Sequence, residues 1–269
     1  MGFQILAVKL VSSMSSYDTL LSLLFFRIQP RRALGLVRIA NKTPGIVPCR
    51  LHSKEIQEAT ASEPLTIEEE YEMQRSWRND EDKLTFISCL PVSKDTENGM
   101  IRLKPTHDDV SERMIGDVNL FLKYADEDEG DDEESEKPHT IVGEIELMVA
   151  EKRNQRRGFG RASLICFLRY VVVHEKQILK EYISKQTMNG SGKCLGDKFA
   201  YLVVRIGATN ARSLALFESL GFKRVTEQPN YFGELELRMY GVQKGTVDGL
   251  MERHRIMGYE EILYDIGDL

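Results

Sequence analysis

Residues 143–170, GEIELMVAEKRNQRRGFGRASLICFLRY, decide the fold. The first nine residues largely alternate apolar and polar side chains, which predicts a β-strand. From residue 161 the apolar side chains recur at intervals of three and four, which predicts an amphipathic helix. A loop containing Gly158 and Gly160 joins the two. The segment therefore predicts a strand, a glycine-containing turn and a helix in close succession.

The loop has the composition of an anion-binding site. Its glycines lie where the helix begins, and there the first backbone N–H groups are unpaired and the helix dipole is positive. Arg156, Arg157 and Arg161 add positive charge. We interpret the loop as a pyrophosphate cradle, although a tight connection with a positive φ at glycine explains the same residues. Neither GxGxxG nor a Walker A loop is present.

Further elements flank this unit on both sides. Thr66 and Glu69 form a capping box that opens a helix, and Asn210 caps another that ends before Gly221. The first helix after the loop is predicted to run to about Ser184. Strands are predicted at 84–89, 116–122, 143–151, 201–206 and 233–239, and a short helix near 246–256. Strands 116–122 and 143–151 form a hairpin whose tip is the acidic loop 125–137.

Charge and cysteine content exclude several classes of protein. The chain has 36 basic and 42 acidic side chains, a net charge of −6, which argues against a nucleic-acid binder, where a basic face is expected. The acidic loop is either a solvated segment or a means of attracting a basic partner. Four cysteines without CxxC spacing indicate reduced thiols, with no zinc or other metal site. The uncharged runs 10–17 and 19–26 are too short to span a membrane.

The sequence divides into three parts. Residues 1–45 are an extension of uncertain order, 46–240 form one domain, and 241–269 form a C-terminal tail. We expect the extension to pack poorly on the domain, because it has no clear periodicity. Its basic, acid-poor composition resembles a mitochondrial targeting segment. The cysteines favour a cytoplasmic protein, with mitochondria as the alternative.

Two motifs resemble the GNAT superfamily of N-acetyltransferases. Gln155-x-x-Gly158-x-Gly160, between strand and helix, is similar to its acetyl-CoA signature. Asn210-x-x-Ser213, followed by Gly221-Phe222, is similar to its second element. More narrowly, TASEPLTIEEEYEMQRSW at 60–77 and the strands at 116–122 and 143–151 resemble the N-acetyltransferase 9-like family, which is associated with tubulin as a substrate. The resemblance covers about 55–240, and upstream of it 47–59 resembles a shortened first strand and helix.

The resemblance implies an α+β fold, an α/β sandwich. In this fold a mixed, mostly antiparallel central sheet is flanked by helices, and acetyl-CoA binds at the splay beside the fourth strand. The implied cofactor-binding residues are Leu147, Met148, Val149, Gln155, Arg156, Arg157, Gly158, Phe159, Gly160, Arg161, Asn210 and Ser213. Among them, residues 147–149 are expected to pair with the pantetheine arm as an added strand does.

The expected chemistry is attack of an amine on the acetyl thioester. An alkylammonium must first lose a proton, and a carboxylate is the usual acceptor. Glu144 and Glu146 share one face of their strand, and Glu144 matches the base position in the superfamily's histone-acetylating members. Glu146 is then expected to orient the substrate, and either residue is alternatively an ordinary strand-surface carboxylate. An oxyanion donor is expected near Met148 or Val149.

One position departs from the superfamily pattern. Many members carry a tyrosine on the last helix as general acid, and Phe217 stands there instead. We interpret Phe217 as a packing residue and assign no general acid. The sequence thus predicts an acetyl-CoA-dependent N-acetyltransferase for a lysine or N-terminal amine of a protein, with tubulin implied by the resemblance. The alternatives are acetylation of a small amine such as a polyamine or aminoglycoside, and a weakly catalytic acetyl-CoA-binding or microtubule-associated module.

Overall fold

The structure, a computed structural model, describes most of the chain from residue 82 onward. The described ranges are 82–90, 113–125, 140–150, 152–188 and 197–262, together with residues 66, 69 and 72 and the backbone of strands at 8–10, 21–28, 32–38, 96–97 and 100–101. The acidic loop at 126–136, residues 47–59 and most of the helix predicted from Thr66 lie outside them. At the start of that helix, the Thr66 hydroxyl accepts from Glu69 N–H and the Thr66 N–H donates to Glu69 Oε2, so the capping box is confirmed.

A mixed sheet of ten described strands forms the centre of the fold. Its strands are β1 (Val8–Leu10), β2 (Leu21–Ile28), β3 (Arg32–Arg38), β4 (Lys83–Cys89), β7 (Met114–Tyr124), β8 (Ile141–Val149), β9 (Phe199–Gly207), β10 (Lys223–Arg224), β11 (Glu234–Tyr240) and β12 (Ile256–Ile262). Their order is β1-β2-β3-β4-β7-β8-β9-β11-β10, and β12 pairs with β2. Among these pairings only β8 with β9 is parallel. Strands β5 (Thr96–Glu97) and β6 (Met100–Ile101) form a separate small hairpin.

Three helices accompany the sheet in the described residues: α1 (Phe159–Met188), α2 (Ala211–Ser219) and α3 (Lys244–Arg253). The predicted strand, turn and helix at 143–170 are confirmed as β8 and α1, and α1 continues to Met188. The β7–β8 hairpin is confirmed as well. None of these helices has the length and apolar composition that crossing a bilayer requires.

The two faces of the sheet differ in chemistry. The face against α1 is apolar: Phe86 packs edge-on against Phe167, and both side chains are fully buried. The strand registers place charged residues on the opposite face, which we call the polar face. Its charged residues include Lys83, Asp117, Lys123, Glu144, Glu146, Arg205, Glu234, Glu236 and Arg238. Burial of the apolar face stabilises the fold, because side chains such as Phe86 gain about 1.5–3 kcal/mol each when fully buried.

Both chain ends differ from the sequence prediction. Strand β3 lies within the segment expected to pack poorly, yet it pairs with β4 from Gly35–Cys89 to Arg38–Phe86. The residues predicted as a tail form α3 and β12, and Val247 and Ile256 belong to the core. Pattern analysis missed strands β3 and β12, because each depends on a partner that lies far away in the sequence. The short helix near 246–256 is confirmed as α3.

Gly116 allows close approach of β7 to β8. A Cβ atom at this position would lie 1.9 Å from the carbonyl oxygen of Met148, which belongs to the backbone and cannot turn away. Gly249 of α3 presents the opposite case, since a Cβ there meets no atom within 4 Å. The first glycine is therefore required by packing, whereas the second only weakens its helix.

We predict opposite effects of alanine at these two glycines. Gly116→Ala lowers the free energy of unfolding by about 1–3 kcal/mol, because the strands must separate to admit the methyl group. Gly249→Ala raises it by about 0.5–1 kcal/mol, because alanine favours a helix. Urea unfolding measures both. Equal stability of the Gly116→Ala variant and the parent would contradict the close approach.

Candidate active site

The parallel pair β8 and β9 separates partway along its length. Their registered pairs run from Ile141–Phe199 to Glu144–Val203. Both strands continue further, β8 to Val149 and β9 to Gly207. On its other side β8 stays paired with β7 along its full length, as far as Gly116–Val149. The last five residues of β8 therefore present an open backbone edge towards β9, at the position where the sequence resemblance implies the splay.

The ladder with β7 determines which peptide groups this open edge presents. Ala150 N–H donates to the Ile115 carbonyl at 2.9 Å, towards β7. Because peptide groups alternate in direction along an antiparallel strand, those of Met148 also face β7, and those of Leu147 and Val149 face the splay. The Val149 carbonyl accepts a hydrogen bond from Gln155 Nε2 at 3.1 Å, which confirms that this carbonyl is directed away from β7. Leu147 and Val149 are thus better placed than Met148 to pair with a ligand.

The glycine-containing loop lies directly after this edge. Gly158 has φ +87° and Arg156 has φ +59°, so the chain turns sharply before α1 begins. Ala162 N–H is paired with the Gly158 carbonyl, so the amides of residues 159–161 precede the first closed turn of the helix. Residues 155–158 and Arg161 are exposed. Amides without an intrahelical partner, a positive helix end and exposed arginines form a site that fits a pyrophosphate.

Individual residues of this loop have different roles in the structure. Phe159 is buried in the core, so its side chain is a packing element of the helix start. Arg157 lies near the Asn154 Oδ1 at 3.5 Å and over the Phe159 ring at 5.3 Å. A Cβ at Gly160 would make ordinary contact with the Val149 and Leu147 side chains at 3.5 and 3.6 Å. Gly160 thus brings α1 close to the end of β8.

The second predicted element caps a helix. Asn210 Oδ1 accepts the Ser213 N–H at 3.1 Å, as expected for the N-cap of α2. At the other end Gly221 has φ +105°, which confirms the predicted helix stop. Phe217 is buried and packs edge-on against Phe222 at 5.1 Å, so its interpretation as a packing residue is confirmed. The Asn210 and Ser213 contacts with a cofactor remain predictions.

Glu144 on the polar face is held by two cations. Its Oε2 accepts from Lys123 Nζ at 2.9 Å and from an Arg205 guanidinium nitrogen at 2.5 Å. Burial alone raises the pKa of Glu144, but the hydrogen bonds and charges of Lys123 and Arg205 outweigh burial and hold the pKa below its usual range. Glu144 is therefore ionised at neutral pH and is a weak proton acceptor.

Glu146 has the opposite electrostatic environment. It lies on the same face, one pleat further along β8 and beyond the last registered pair with β9. Glu146 is exposed, but partial desolvation by the surrounding sheet raises its pKa, and the charges of Glu144 and Glu234 raise it further against the opposing effect of Lys83. Two carboxylates whose pKa values are driven apart are typical of a site with an acid–base function.

Sequence reasoning missed the partners of Glu144. Arg205 lies in the predicted strand YLVVRI, and Glu236 and Arg238 are two of the three charged positions of GELELRM. Alternation indicated that these side chains share the less buried face of their strands, but it gave no register between strands. The contact of Arg205 with Glu236 at 3.0 Å therefore had no signal in the sequence.

Comparisons with known proteins identify the family of this chain. No protein-family model matches the chain. The N-acetyltransferase 9-like protein of Schizosaccharomyces pombe is 39% identical over 205 residues, 70% of this chain and 84% of that protein. The alpha/beta-tubulin-N-acetyltransferase 9 of Homo sapiens is 33% identical over 72% of this chain and 74% of that protein.

Among solved structures, NAA60 of Arabidopsis thaliana in complex with acetyl-CoA is similar over 77% of this chain and 98% of that one, at 15% identity and a TM-score of 0.43. The family assignment rests on the two sequence relatives, since identity above 30% extends over most of their length. The chain belongs to the N-acetyltransferase 9-like family.

Proposed function

We propose that this enzyme transfers the acetyl group of acetyl-CoA to an amine of a protein, with Glu146 as the proton acceptor. The observation that carries the proposal is the open edge of β8 at Leu147 and Val149, directly beside the cradle at 155–161. The edge can pair with an amide-containing arm, and the cradle can bind its pyrophosphate end. The carboxylates lie on the polar face, where an amine can approach.

The residues around the edge have separate tasks. The amides of residues 159–161, with Arg156, Arg157 and Arg161, hold the pyrophosphate. The peptide groups of Leu147 hold the pantetheine arm, and Asn210 lies at the start of α2 to contact it. Acetyl-CoA supplies an acetyl thioester. The Val149 N–H faces the splay and donates to the carbonyl oxygen as negative charge develops there.

Proton transfer completes the reaction. The acceptor ammonium gives one proton to Glu146, and the free amine nitrogen forms a bond to the thioester carbon as the carbon–sulfur bond breaks. The amine loses its second proton to solvent, and the departing thiolate takes a proton from water. Phe217 offers no proton, and the buried position of this side chain supports protonation by solvent.

An exposed aromatic pair favours a protein acceptor over a small amine. Tyr231 is 97% and Phe232 is 80% exposed, and the two rings pack edge-on at 5.4 Å. Their turn is ordered by Asn230, whose Oδ1 accepts the N–H groups of Phe232 and Glu234. Ala208 N–H, just after β9, donates to the Gly233 carbonyl of this turn. The turn therefore lies at the end of β9 where β8 and β9 separate. Exposed aromatic side chains on an ordered turn are typical of protein recognition.

The names of the relatives indicate the acceptor. The human relative is named for α- and β-tubulin, so we propose tubulin as a substrate of this chain as well. A lysine and an N-terminal amine both fit the chemistry, because each presents an ammonium to Glu146. A small-amine acetyltransferase and a weakly catalytic binding module are the competing functions.

Gly158 is the position that tests the cradle. Gly158→Asp is expected to abolish acetyl-CoA binding measured by calorimetry, because it places a negative charge where the helix end favours the ligand's anion. Gly158→Asn has the same size, tolerates the positive φ and carries no charge, so it is expected to weaken binding less. Circular dichroism checks that both variants are folded. If a folded Gly158→Asp variant binds as tightly as the parent, the cradle is assigned wrongly.

The acceptor is tested by direct competition. The parent protein and acetyl-CoA are incubated with tubulin dimers and spermidine together, and mass spectrometry measures acetylation of each. We expect acetylated tubulin to dominate, and the Gly158→Asp variant to acetylate neither. Acetylation of spermidine alone would support the small-amine function. Binding of acetyl-CoA without acetylation of any amine would support the binding module.

A further inference from the structure

A chain of four ion pairs crosses the polar face from β7 to β11. Lys123 contacts Glu144 at 2.9 Å, Glu144 contacts Arg205 at 2.5 Å, Arg205 contacts Glu236 at 3.0 Å, and Glu236 contacts Arg238 at 2.6 Å. Arg205 is its central member. Its side chain is 29% exposed, compared with 18% for Glu144 and 21% for Glu236. Partly shielded from water, these pairs are stronger than pairs on an open surface.

Arg205 limits what Glu144 can do. The guanidinium and the Lys123 ammonium both contact the same oxygen of Glu144, Oε2. Protonation of Glu144 would leave both cations without their full counter-charge. The carboxylate is therefore fixed in position and in charge. No residue in the described part of the chain forms an ion pair with Glu146, although Glu146 lies next to Glu144 on the same face.

This inference rests on the proposed acetyl transfer. We propose that Arg205 is a positioning residue that fixes the ionised Glu144 beside Glu146. The proton of the acceptor amine is thereby directed to Glu146. Arg205 acts through Glu144 and touches no reacting atom. Glu144 supplies a fixed negative charge. Each acetyl transfer then moves one proton from the ammonium to Glu146 and onward to solvent.

Several charged groups surround Glu146 on this face. They are Lys83 on β4, Asp117 and Lys123 on β7, Glu144 on β8, Arg205 on β9, and Glu234 and Glu236 on β11. Glu144 and Glu234 favour the protonated form of Glu146, and Lys83 opposes them. A base whose pKa is raised towards the working pH accepts a proton more effectively in the transition state. The fixed charge of Glu144 is thus useful to catalysis.

The test is the pH profile of kcat/KM for tubulin acetylation by full-length variants. Glu144→Gln removes a like charge, so the acidic limb of the profile is expected to move to lower pH. Arg205→Met leaves the charge of Glu144 less compensated, so the limb is expected to move to higher pH. Arg205→Lys keeps the cation and is expected to restore the limb towards that of the parent. A merely structural role would lower activity without shifting the limb in opposite directions.

Glu146→Gln provides the decisive comparison. It is expected to lower kcat by about 10²–10⁴-fold near neutral pH, the usual contribution of a general base. If Glu144→Gln loses activity to this extent while Glu146→Gln does not, the inference is overturned and the acetyltransferase function stands. If the parent acetylates no amine, the proposed function fails instead. Should Arg205→Met not fold, Arg205→Gln replaces it, and an unmoved acidic limb in a folded variant contradicts the role of Arg205.

Discussion

The parallel pairing of β8 with β9, and its end at Glu144, is the constraint on which the rest of the site depends. Sheet backbone groups need partners, so a strand that leaves its neighbour exposes donors and acceptors that a ligand can satisfy. On its other side β8 stays paired with β7 along its full length, and Gly116 lets β7 approach closely enough to maintain this pairing. The cradle follows at once, because Gly158 and Arg156 turn the chain into α1.

The division of the sheet into an apolar and a polar face separates the tasks of the site. Helix α1 covers the apolar face, and its N-terminus is the proposed anion site. The polar face retains its charges, and the pairs around Arg205 give Glu144 and Glu146 different proton affinities although both are glutamates on one strand. Their different environments follow from position along β8: Glu144 is still paired with β9 and reaches Arg205, and Glu146 lies beyond that pairing.

Sequence reasoning succeeded where the signal was local. The β8–loop–α1 unit, the Asn210 cap and the Gly221 stop each depend on residues within a few positions of one another. It failed where partners are distant. Strand β3 is specified by its pairing with β4, and β12 by its pairing with β2. The proposed choice of Glu146 over Glu144 also needed the β8–β9 register, because the proximity of Arg205 to Glu144 is invisible in a linear pattern.

Amide hydrogen exchange tests the central claim, that the open edge of β8 binds acetyl-CoA. Residue-resolved exchange is measured with and without saturating acetyl-CoA. The account predicts increased protection at the amides of Leu147 and Val149 and of residues 159–161, and little change at Met148, whose N–H is directed towards β7 in both states. Unchanged exchange at Leu147, Val149 and the start of α1, under conditions where acetyl-CoA binds, would contradict it.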